Sequence, residues 1–438
     1  MHILLIDQNA GAPSLDGDLR SYTLAREWER AGIRATVLAA AFSPLRRKNP
    51  EERPLPAQPE TVDGVSFVFL PVPPAVSSPG GRERDVYAFA WALWRQAGEL
   101  ARLLGPQAVL LSSGHPFDFW GGERLAAKSG AALAFELREA WPQMQGEFYG
   151  KRAAKGPARF TLRRALKKTI CVFSPLSGAA ACLQEFGIPA EKLRPVSEPV
   201  AGEPETQPLS ERNRDYLERL RRCYDFLVLY QGPVARRRQL GLLIDAAKLL
   251  EETGTAVLII GNGDYKISLK RQIRGLAAAN VYLMDDIGPQ AQAACRYADC
   301  LYYGDSLETA VRYGAQSSAL LARMRAGKPL LTALQCSETP PELAGSGVNA
   351  AEPSAEALAS AIESLRAAGR PERAEMGLRG VHYLQENHDP ARCAQAYLAA
   401  LEETVRGMRG PENLQHEKAD AQGQDNNAPA QHGRPRTP

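Results

Sequence analysis

The segment that decides the fold is YGAQSSALLARMRAGKPLLTAL, residues 313–334. A polar stretch leads into an apolar helix that begins at Ser317 or Ser318. An Ala-Gly-Lys-Pro sequence then ends the helix, and a short apolar strand follows. A serine at a helix start leaves backbone N–H groups directed outward at the positive end of the helix dipole. The segment therefore predicts a helix–strand unit with an anion site at its first turn.

This unit comes late in the second of two series of alternating apolar strands and amphipathic helices. The predicted strands are 2–7, 35–40, 65–70, 108–113, 131–137 and 169–173 in the first series, and 226–230, 256–260, 281–284, 300–303 and 329–334 in the second. Continuous apolar strands between helices are typical of mostly parallel sheets covered on both faces. The sequence thus predicts an α/β fold of two Rossmann-like domains, with a ligand in the cleft between them.

A run rich in Pro and Glu, EPVAGEPETQ at 198–207, separates the two series and reads as a linker. The last residues are rich in Pro, Gln, Asn and Asp and contain almost no aliphatic side chains, which is typical of disorder. The predicted division is an N-terminal domain (1–197), a linker (198–212), a C-terminal domain (213–385), a helix crossing back to the N-terminal domain (386–409) and a disordered tail (410–438).

The bulk composition excludes several classes of protein. With 438 residues the chain is too long for one core, and a net charge of +3 provides no global field for nucleic acid. The seven cysteines form no C-x-x-C pair, which fits a reducing cytosol. The opening MHILLIDQ lacks the basic region of a signal peptide, and no apolar run is long enough to cross a bilayer. We therefore expect a cytoplasmic protein that does not bind nucleic acid.

Several short motifs follow one another in a particular order and spacing. They are GAPSLDGDLR (11–20), SSGHP (112–116) and ELREAWP (136–142) in the first half, and 232–246, GNGD (261–264) and 312–331 in the second. With these motifs, the chain resembles over about residues 1–405 the retaining glycosyltransferases of the GT-B fold, of the family-4 type. Within that family it is most similar to bacterial transferases that build surface polysaccharides, including the N-acetylfucosaminyl type.

The resemblance implies an activity. Such a transferase moves a hexosamine or deoxyhexose from a nucleotide sugar, here UDP-linked, to a lipid-linked or saccharide acceptor. Positive charge and backbone N–H groups can stabilise the departing diphosphate, so we predict no cofactor and no metal. The acceptor class places the protein in the cytoplasm, at the inner face of the membrane.

The resemblance also assigns the donor side. Arg238 falls on the family's phosphate-contacting lysine, and a solvated basic turn is the alternative. The glycines Gly261 and Gly263 would let a loop pass the nucleotide, although a plain turn explains them as well. The helix-end amides predicted to face the donor phosphates belong to Ser317, Ser318 and Ala319, where simple helix capping is a compatible role.

The first domain supplies the remaining candidates. His115 matches the Ser-Ser-x-His-Pro segment and is the catalytic candidate, in contact with donor sugar or acceptor, against the alternative of a structural histidine. A Glu136–Arg138 ion pair is the alternative to a role for those two residues in the cleft. The predicted acceptor-side residues are Gly11, Asp16, Arg20, Glu136 and Arg138.

Residues 151–168 contain eight basic side chains and no acidic one. Apolar residues interrupt them on a predicted helix, which suits peripheral contact with anionic lipid. A charged solvent-exposed face is the alternative. The interrupting residues are Phe160, Leu162, Ala165 and Leu166.

Three departures from the family pattern fall on the donor side. Gly314 and Ala322 occupy the positions of two family glutamates, and Pro233 replaces a common arginine. An alanine cannot accept a hydrogen bond from a ribose hydroxyl. Ala322 and Pro233 motivate one alternative, a non-catalytic GT-B scaffold protein, and a GT-B sugar-nucleotide epimerase is a further alternative that only His115 supports.

Overall fold

The computed structural model describes residues 1–15, 17–50, 57–72, 81–138, 156–200, 207–306, 318–336 and 338–424. These residues form two α/β units, each built on a mostly parallel sheet with helices on its faces. The predicted α/β architecture of two Rossmann-like domains is therefore confirmed.

The first sheet has eight strands in the order β3-β4-β2-β1-β5-β6-β7-β8. Neighbouring strands are parallel except for the antiparallel β3–β4 pair. The strands are β1 (His2–Ile6), β2 (Arg34–Ala40), β3 (Pro59–Val62), β4 (Val65–Leu70), β5 (Ala108–Leu111), β6 (Ala132–Glu136), β7 (Cys171–Ser174) and β8 (Leu193–Pro195). The associated helices are α1 (Arg20–Arg30), α2 (Gly81–Leu104), α3 (Phe119–Ser129), α4 (Pro157–Lys168) and α5 (Ala179–Glu185).

The second sheet has six parallel strands in the order β11-β10-β9-β12-β13-β14. Its strands are β9 (Phe226–Gln231), β10 (Thr255–Ile260), β11 (Val281–Met284), β12 (Cys300–Asp305), β13 (Leu330–Leu334) and β14 (Gly347–Asn349). Its helices are α6 (Glu211–Cys223), α7 (Leu240–Leu249), α8 (Lys266–Leu276), α9 (Gln290–Ala294), α10 (Ser318–Met324), α11 (Pro340–Leu343), α12 (Ala355–Ala367) and α13 (Gly369–Asn387), followed by α14 (Pro390–Gln424).

Each sheet contains a point where the strand order reverses. In the first sheet the chain leaves β1 for β2 on one side and returns at β5 on the other. In the second sheet β10 and β12 flank β9 in the same way. The loops that follow such strands diverge at their carboxyl ends, and the crevice between them is the usual ligand site of an open α/β sheet.

The last helix, α14, packs on the N-terminal domain. Trp28 Nε1 donates a 2.8 Å hydrogen bond to the Ala394 carbonyl, and Tyr397 stacks on Phe173 with ring centroids 4.6 Å apart. The helix continues to Gln424, beyond the predicted end at 409, so residues 410–424 are helical where a tail was predicted. Among the described helices none is both long and apolar enough to cross a bilayer.

The elements that sequence periodicity did not predict are mostly short. The strands β3, β8 and β14 have four residues or fewer and no fully buried run, so they carry little apolar signal. Helix α6 begins inside the predicted linker, where Ser210 caps it by accepting a hydrogen bond from Asn213 N. In the decisive segment the described helix begins at Ser318, and Ser317 lies outside the described residues.

The two loops that follow β9 and β10 cross at van der Waals distance. Gly261 has φ +154°, and a Cβ there would lie 1.9 Å from the Gly232 carbonyl oxygen. Replacing Gly261 by alanine should therefore lower the free energy of unfolding by roughly 1–3 kcal/mol. Gly275 near the end of α8 is the matched control, because a Cβ there meets nothing and alanine should stabilise by up to about 1 kcal/mol. Urea denaturation of both variants checks this, and equal stability would contradict it.

Candidate functional site

The loop after β9 is held tightly against the neighbouring strand β12. Tyr230 donates a 2.6 Å hydrogen bond from its hydroxyl to the Pro233 carbonyl, and the Tyr302 hydroxyl lies 3.3 Å from the Arg238 carbonyl. Gly304 allows the loop to approach, since a Cβ there would lie 2.4 Å from that same carbonyl oxygen. Two tyrosines in buried strands thus position the backbone of this basic loop by their polar ends.

Arg238 is buried at the switch point between β9 and β12. Its Nη1 donates to Asp305 Oδ2 at 2.8 Å, and its Cζ lies 5.1 Å from the centroid of the Tyr303 ring. Only 8% of the residue is exposed. Burial acts against its charge, but Tyr303 and Asp305 outweigh that effect and raise the pKa of Arg238. The prediction of a solvated basic turn therefore does not describe this residue.

Arg323 brings helix α10 to the same place. Its Cζ lies 5.2 Å from the centroid of the Tyr303 ring, its Nη1 donates to the Ala319 carbonyl at 2.7 Å, and its Nη2 donates to the Gln231 carbonyl. A Cβ on Gly232 would lie 3.2 Å from the same Nη2. The start of α10 and the loop after β9 therefore meet around Tyr303. Sequence analysis missed Arg323 although it is adjacent to Ala322.

The charges at this point favour an anion. Arg237 also pairs with Asp305 Oδ2, at 3.1 Å, so this carboxylate accepts from two arginines, while Arg323 lies over the Tyr303 ring that Arg238 also contacts. Guanidinium groups bind phosphate oxygens in fixed geometry, and they bind them most strongly where water is excluded. We call Arg237, Arg238, Asp305, Tyr303 and Arg323 the switch-point cluster.

The other predicted donor residues lie on α10 and on the loop after β10. Ser318 is exposed at the first residue of α10, and Ala319 is half-buried one residue later. Gly261 and Gly263 pack against the loop after β9, where a Cβ on Gly263 would lie 2.2 Å from the Val234 carbonyl oxygen. Their small size thus lets two loops pack on each other, and whether they face a nucleotide stays a prediction.

On the N-terminal side, Arg20 is the centre of a buried charge network. It donates through Nη1 to Glu136 Oε2 at 2.8 Å and through Nε to Glu198 Oε2 at 2.7 Å. Tyr397 of α14 donates to Glu136 Oε1 at 2.6 Å. The side chains of Arg20 and Glu136 are at most 1% exposed, so they stabilise the joint of α1, β6 and α14 and do not reach solvent.

Arg138 and Asp18 form the accessible part of this region. Arg138 Nη2 donates to Asp18 Oδ2 at 2.7 Å, and its Nη1 lies 3.6 Å from Asp7 Oδ2. The predicted Glu136–Arg138 ion pair is therefore wrong, because each of these described side chains has another partner. Gly11 is buried and donates its N–H to the Asp18 carbonyl at 2.7 Å, whereas the predicted candidate Asp16 lies outside the described residues.

His115 is buried at the carboxyl end of β5. Its Nε2 lies 2.6 Å from Gln8 Oε1, and the Phe117 N–H donates to its Nδ1 at 3.3 Å. These partners assign the proton to Nε2, and burial lowers the pKa of His115 to about 3. The imidazole is therefore neutral at physiological pH, with its one N–H engaged by Gln8. Its catalytic role stays a prediction.

Arg46, on the loop after β2, is a further candidate that sequence analysis missed. It is 5% exposed, lies over Phe69 and donates through Nη2 to the Ala40 carbonyl. Within the described part of the chain its Nε and Nη1 have no hydrogen-bond partner, and burial lowers its pKa to about 10. A buried cation with two free donors is suited to an anionic group of a ligand. In the sequence it looks like one more surface arginine.

One known protein family is similar to the N-terminal part of this chain. Residues 19–198 match the family model described as a glycosyl transferase 4-like domain. A comparison with curated proteins gave no significant match. The matched region is the N-terminal domain, which contains Arg20, His115, Glu136 and Arg138.

Solved structures share the architecture of the whole chain. Sucrose-phosphate synthase from Thermosynechococcus elongatus superposes with a TM-score of 0.69 at 15% identity, covering 92% of this chain and 98% of that one. HepE from Anabaena in complex with UDP gives 0.63 at 15% identity, covering 92% and 100%. WaaG, a glycosyltransferase involved in lipopolysaccharide biosynthesis, gives 0.57 at 15% identity, covering 90% and 98%. The chain has the GT-B fold, and its N-terminal domain is similar to glycosyl transferase 4-like domains.

Asp118, at the start of α3, should make the stability of the folded protein depend on pH. Burial raises its pKa to about 8, although Ser113 beside it acts in the opposite direction. The folded protein therefore retains a proton that the unfolded chain has lost, and stability should fall as pH rises from 6.5 to 8. The shifts at His115 and Asp7, to about 3 and about 6, act below this window.

In the wild type the free energy of unfolding should fall by up to about 1.4 kcal/mol per pH unit because of Asp118, and replacing this residue by asparagine should remove that fall. Urea denaturation across pH 6.5 to 8 measures it. The same change at the exposed Asp264 is the control and should leave the slope in place. An unchanged slope in Asp118→Asn would show that this carboxyl is ionised in the folded protein.

Proposed function

We propose that this protein is a retaining glycosyltransferase. It transfers a hexosamine or deoxyhexose from a UDP-sugar to a lipid-linked or saccharide acceptor in the synthesis of a surface polysaccharide. The observation that carries the proposal is the switch-point cluster, in which the basic loop after β9 and helix α10 meet around Tyr303. Two similar structures support the choice of donor and pathway, since HepE is described with UDP and WaaG with lipopolysaccharide biosynthesis.

The donor's diphosphate matches the charge of this cluster. As the bond between sugar and phosphate breaks, negative charge grows on the leaving phosphate, and preorganised cations stabilise it there. Arg238 and Arg323 are held by Tyr303 and by backbone carbonyls before a ligand binds. Little reorganisation is then needed during the reaction. The first-turn amides of α10 at Ser318 and Ala319 would add donors to the same phosphates.

The acceptor is proposed to bind at the carboxyl edge of the N-terminal sheet. Arg138 and Asp18 are partly exposed there and can hydrogen-bond to hydroxyl groups of a saccharide. Arg46, with two unpartnered guanidinium nitrogens in the described part of the chain, would bind an anionic group such as the phosphate of a lipid carrier. This pairing of a sugar-binding and a phosphate-binding group favours a lipid-linked acceptor.

A surface on the N-terminal domain supports contact with a membrane. The predicted lipid-facing residues Leu162, Ala165 and Leu166 are instead buried against the domain, and Phe160 alone projects outward, 62% exposed. Phe160 contacts Trp120 of α3, and α3 packs against α2, whose exposed aromatic side chains add further apolar surface. This aromatic–basic surface comprises Tyr87, Trp91, Trp94 and Phe160 with Arg124 and Arg164.

The aromatic–basic surface has the chemistry of a bilayer interface. Trp91 and Trp94 stack at 5.3 Å, the Arg124 guanidinium lies 4.2 Å from the Trp94 ring centroid, and Phe160 stacks on Trp120. Exposed tryptophans next to arginines suit the headgroup region of anionic lipid. Peripheral binding there would bring the acceptor edge close to a lipid-linked substrate.

Arg238 and Arg373 allow a matched test of the donor site. Both are buried, each pairs with one aspartate, and each lies about 5 Å from an aromatic ring, Tyr303 or Phe226. Arg238→Gln should weaken UDP binding roughly 10- to 100-fold, because it removes charge-assisted hydrogen bonds to phosphate. Arg373→Gln should lose similar stability and keep its UDP affinity. Calorimetric titration of UDP into both variants measures this.

Activity is measured in parallel as UDP release from a panel of UDP-sugars. Equal UDP affinity in the two variants, or a loss confined to Arg373→Gln, would contradict the proposed donor site. UDP binding without release from any donor would favour the second candidate, a non-catalytic scaffold. Ala322 is the observation that favours that candidate, because it offers no acceptor for the ribose hydroxyls.

The membrane contact is tested by co-sedimentation with phosphatidylcholine vesicles that contain or lack phosphatidylglycerol. The wild type should bind the anionic vesicles, and Trp91→Ser/Trp94→Ser should bind them roughly tenfold more weakly through loss of interfacial aromatic area. Ile267→Ser/Leu378→Ser removes comparably exposed apolar side chains from the C-terminal domain and is the control. Equal binding by both double variants would contradict the assignment of this surface.

A further inference from the structure

A basic cavity lies at the amino ends of strands in the C-terminal sheet, whereas the switch-point cluster lies at their carboxyl ends. It has a volume of about 480 Å³ and opens beside the amino ends of β12 and β13. Its charged lining residues are Arg221, Arg296, Asp299, Lys328, Arg370 and Arg373. Five cations and one carboxylate therefore line one cavity, an excess that favours an anionic occupant.

Asp299 fixes the inner wall of this cavity. Its Oδ2 accepts hydrogen bonds from Arg221 Nη1 at 2.5 Å and from the Leu227 N–H at 2.9 Å, and its Oδ1 accepts from Arg373 Nη2 at 3.2 Å. Arg373 is only 7% exposed and lies over Phe226. Two arginines are thereby held in place around a carboxylate whose charge balances only one of them.

The other three cations make no ion pair with a carboxylate of the described residues. Within the described residues no Asp or Glu oxygen lies within 4 Å of the charged groups of Lys328, Arg296 or Arg370. Lys328 Nζ donates to the carbonyls of Ala298 at 2.7 Å and Arg296 at 3.2 Å, which orient its charge without neutralising it. Arg296 and Arg370 are exposed at the mouth.

The backbone adds to the same field. Arg370, Arg373 and Ala374 belong to the first two turns of α13, a helix of 19 residues whose positive end is directed toward this region. Tyr297 and Pro329 complete the lining with less polar surface. The cavity thus combines exposed cations at its mouth, hydrogen-bonded cations at its inner wall and less polar residues that can contact a non-ionic group.

We propose that this cavity binds a soluble phosphorylated small molecule other than the nucleotide, a phosphomonoester or inorganic pyrophosphate, at a site separate from the donor site. Its volume lies in the range of small-molecule sites. Strand β12 connects the two places, with Asp299 before it and Asp305 at its end, so they are about 20 Å apart. Lys328 follows the end of α10 by four residues, so the cavity lies near the carboxyl end of the helix whose first turn borders the switch-point cluster.

Inorganic pyrophosphate is the probe, titrated calorimetrically into full-length protein with UDP present to occupy the donor site. Arg296→Ala/Arg370→Ala should bind it about tenfold or more weakly than the wild type, since two charge-assisted contacts are lost. Arg271→Ala/Arg274→Ala removes the same charge from exposed positions of α8 and should bind like the wild type. All four residues are exposed, so both variants should keep the wild-type melting temperature.

Absence of pyrophosphate binding by the wild type would overturn the proposal, as would equal affinity in the two double variants. Binding to phosphatidylglycerol vesicles that is lost only in Arg296→Ala/Arg370→Ala, without pyrophosphate binding, would overturn the assignment to a soluble ligand. The comparison between the double variants does not require UDP to bind. A failure of the proposed transferase function therefore remains distinguishable from a failure of this site.

Discussion

Ion pairs between a buried arginine and a carboxylate organise the molecule at three places. Arg20 is enclosed by Glu136 and Glu198, Arg238 by Asp305, and Arg373 by Asp299. Removing one partner of such a pair leaves a buried charge and costs several kcal/mol, about 3–5 in comparable cases. Each pair therefore fixes the loops and helices that supply it, and these are the segments that border the proposed sites.

The three places differ in the charge that remains after pairing. Around Arg20 two carboxylates and the Tyr397 hydroxyl satisfy the guanidinium, so the network is closed and stabilises the contact with α14. At Arg238 and at Arg373 the described residues include more cations than carboxylates. The first arrangement is thus structural, whereas the other two retain a field that an anion can neutralise. The basic regions around Arg238 and Arg373 lie at opposite ends of β12, with Asp305 at the end of this strand and Asp299 just before it.

The architecture could be predicted from sequence because buried parallel strands are continuous apolar runs. His2–Ile6 and Thr255–Ile260 are buried throughout and were found by this pattern. The position of Arg238 also followed from its place after the first strand of a series. Its pairing did not, because Asp305 is 67 residues away and lies beside it only through the order of the strands.

Side-chain partners were the part that sequence reasoning could not supply. Glu136 and Arg138 are two residues apart and oppositely charged, which suggested an ion pair. The strand β6 ends at Glu136, however, so its regular alternation does not determine where Arg138 points, and Arg20 on α1 approaches Glu136 instead. Arg46 and Arg323 resemble ordinary surface arginines in sequence, and only tertiary packing on Phe69 and Tyr303 distinguishes them.

The central claim is that the switch-point cluster holds the diphosphate of a nucleotide sugar. A crystal structure of the protein with bound UDP tests it most directly. The account predicts a phosphate oxygen about 3 Å from the Arg238 guanidinium, with the second phosphate near the first-turn amides of α10. Density for UDP in the cavity lined by Arg221 and Arg373, with Arg238 contacting Asp305 alone, would contradict it.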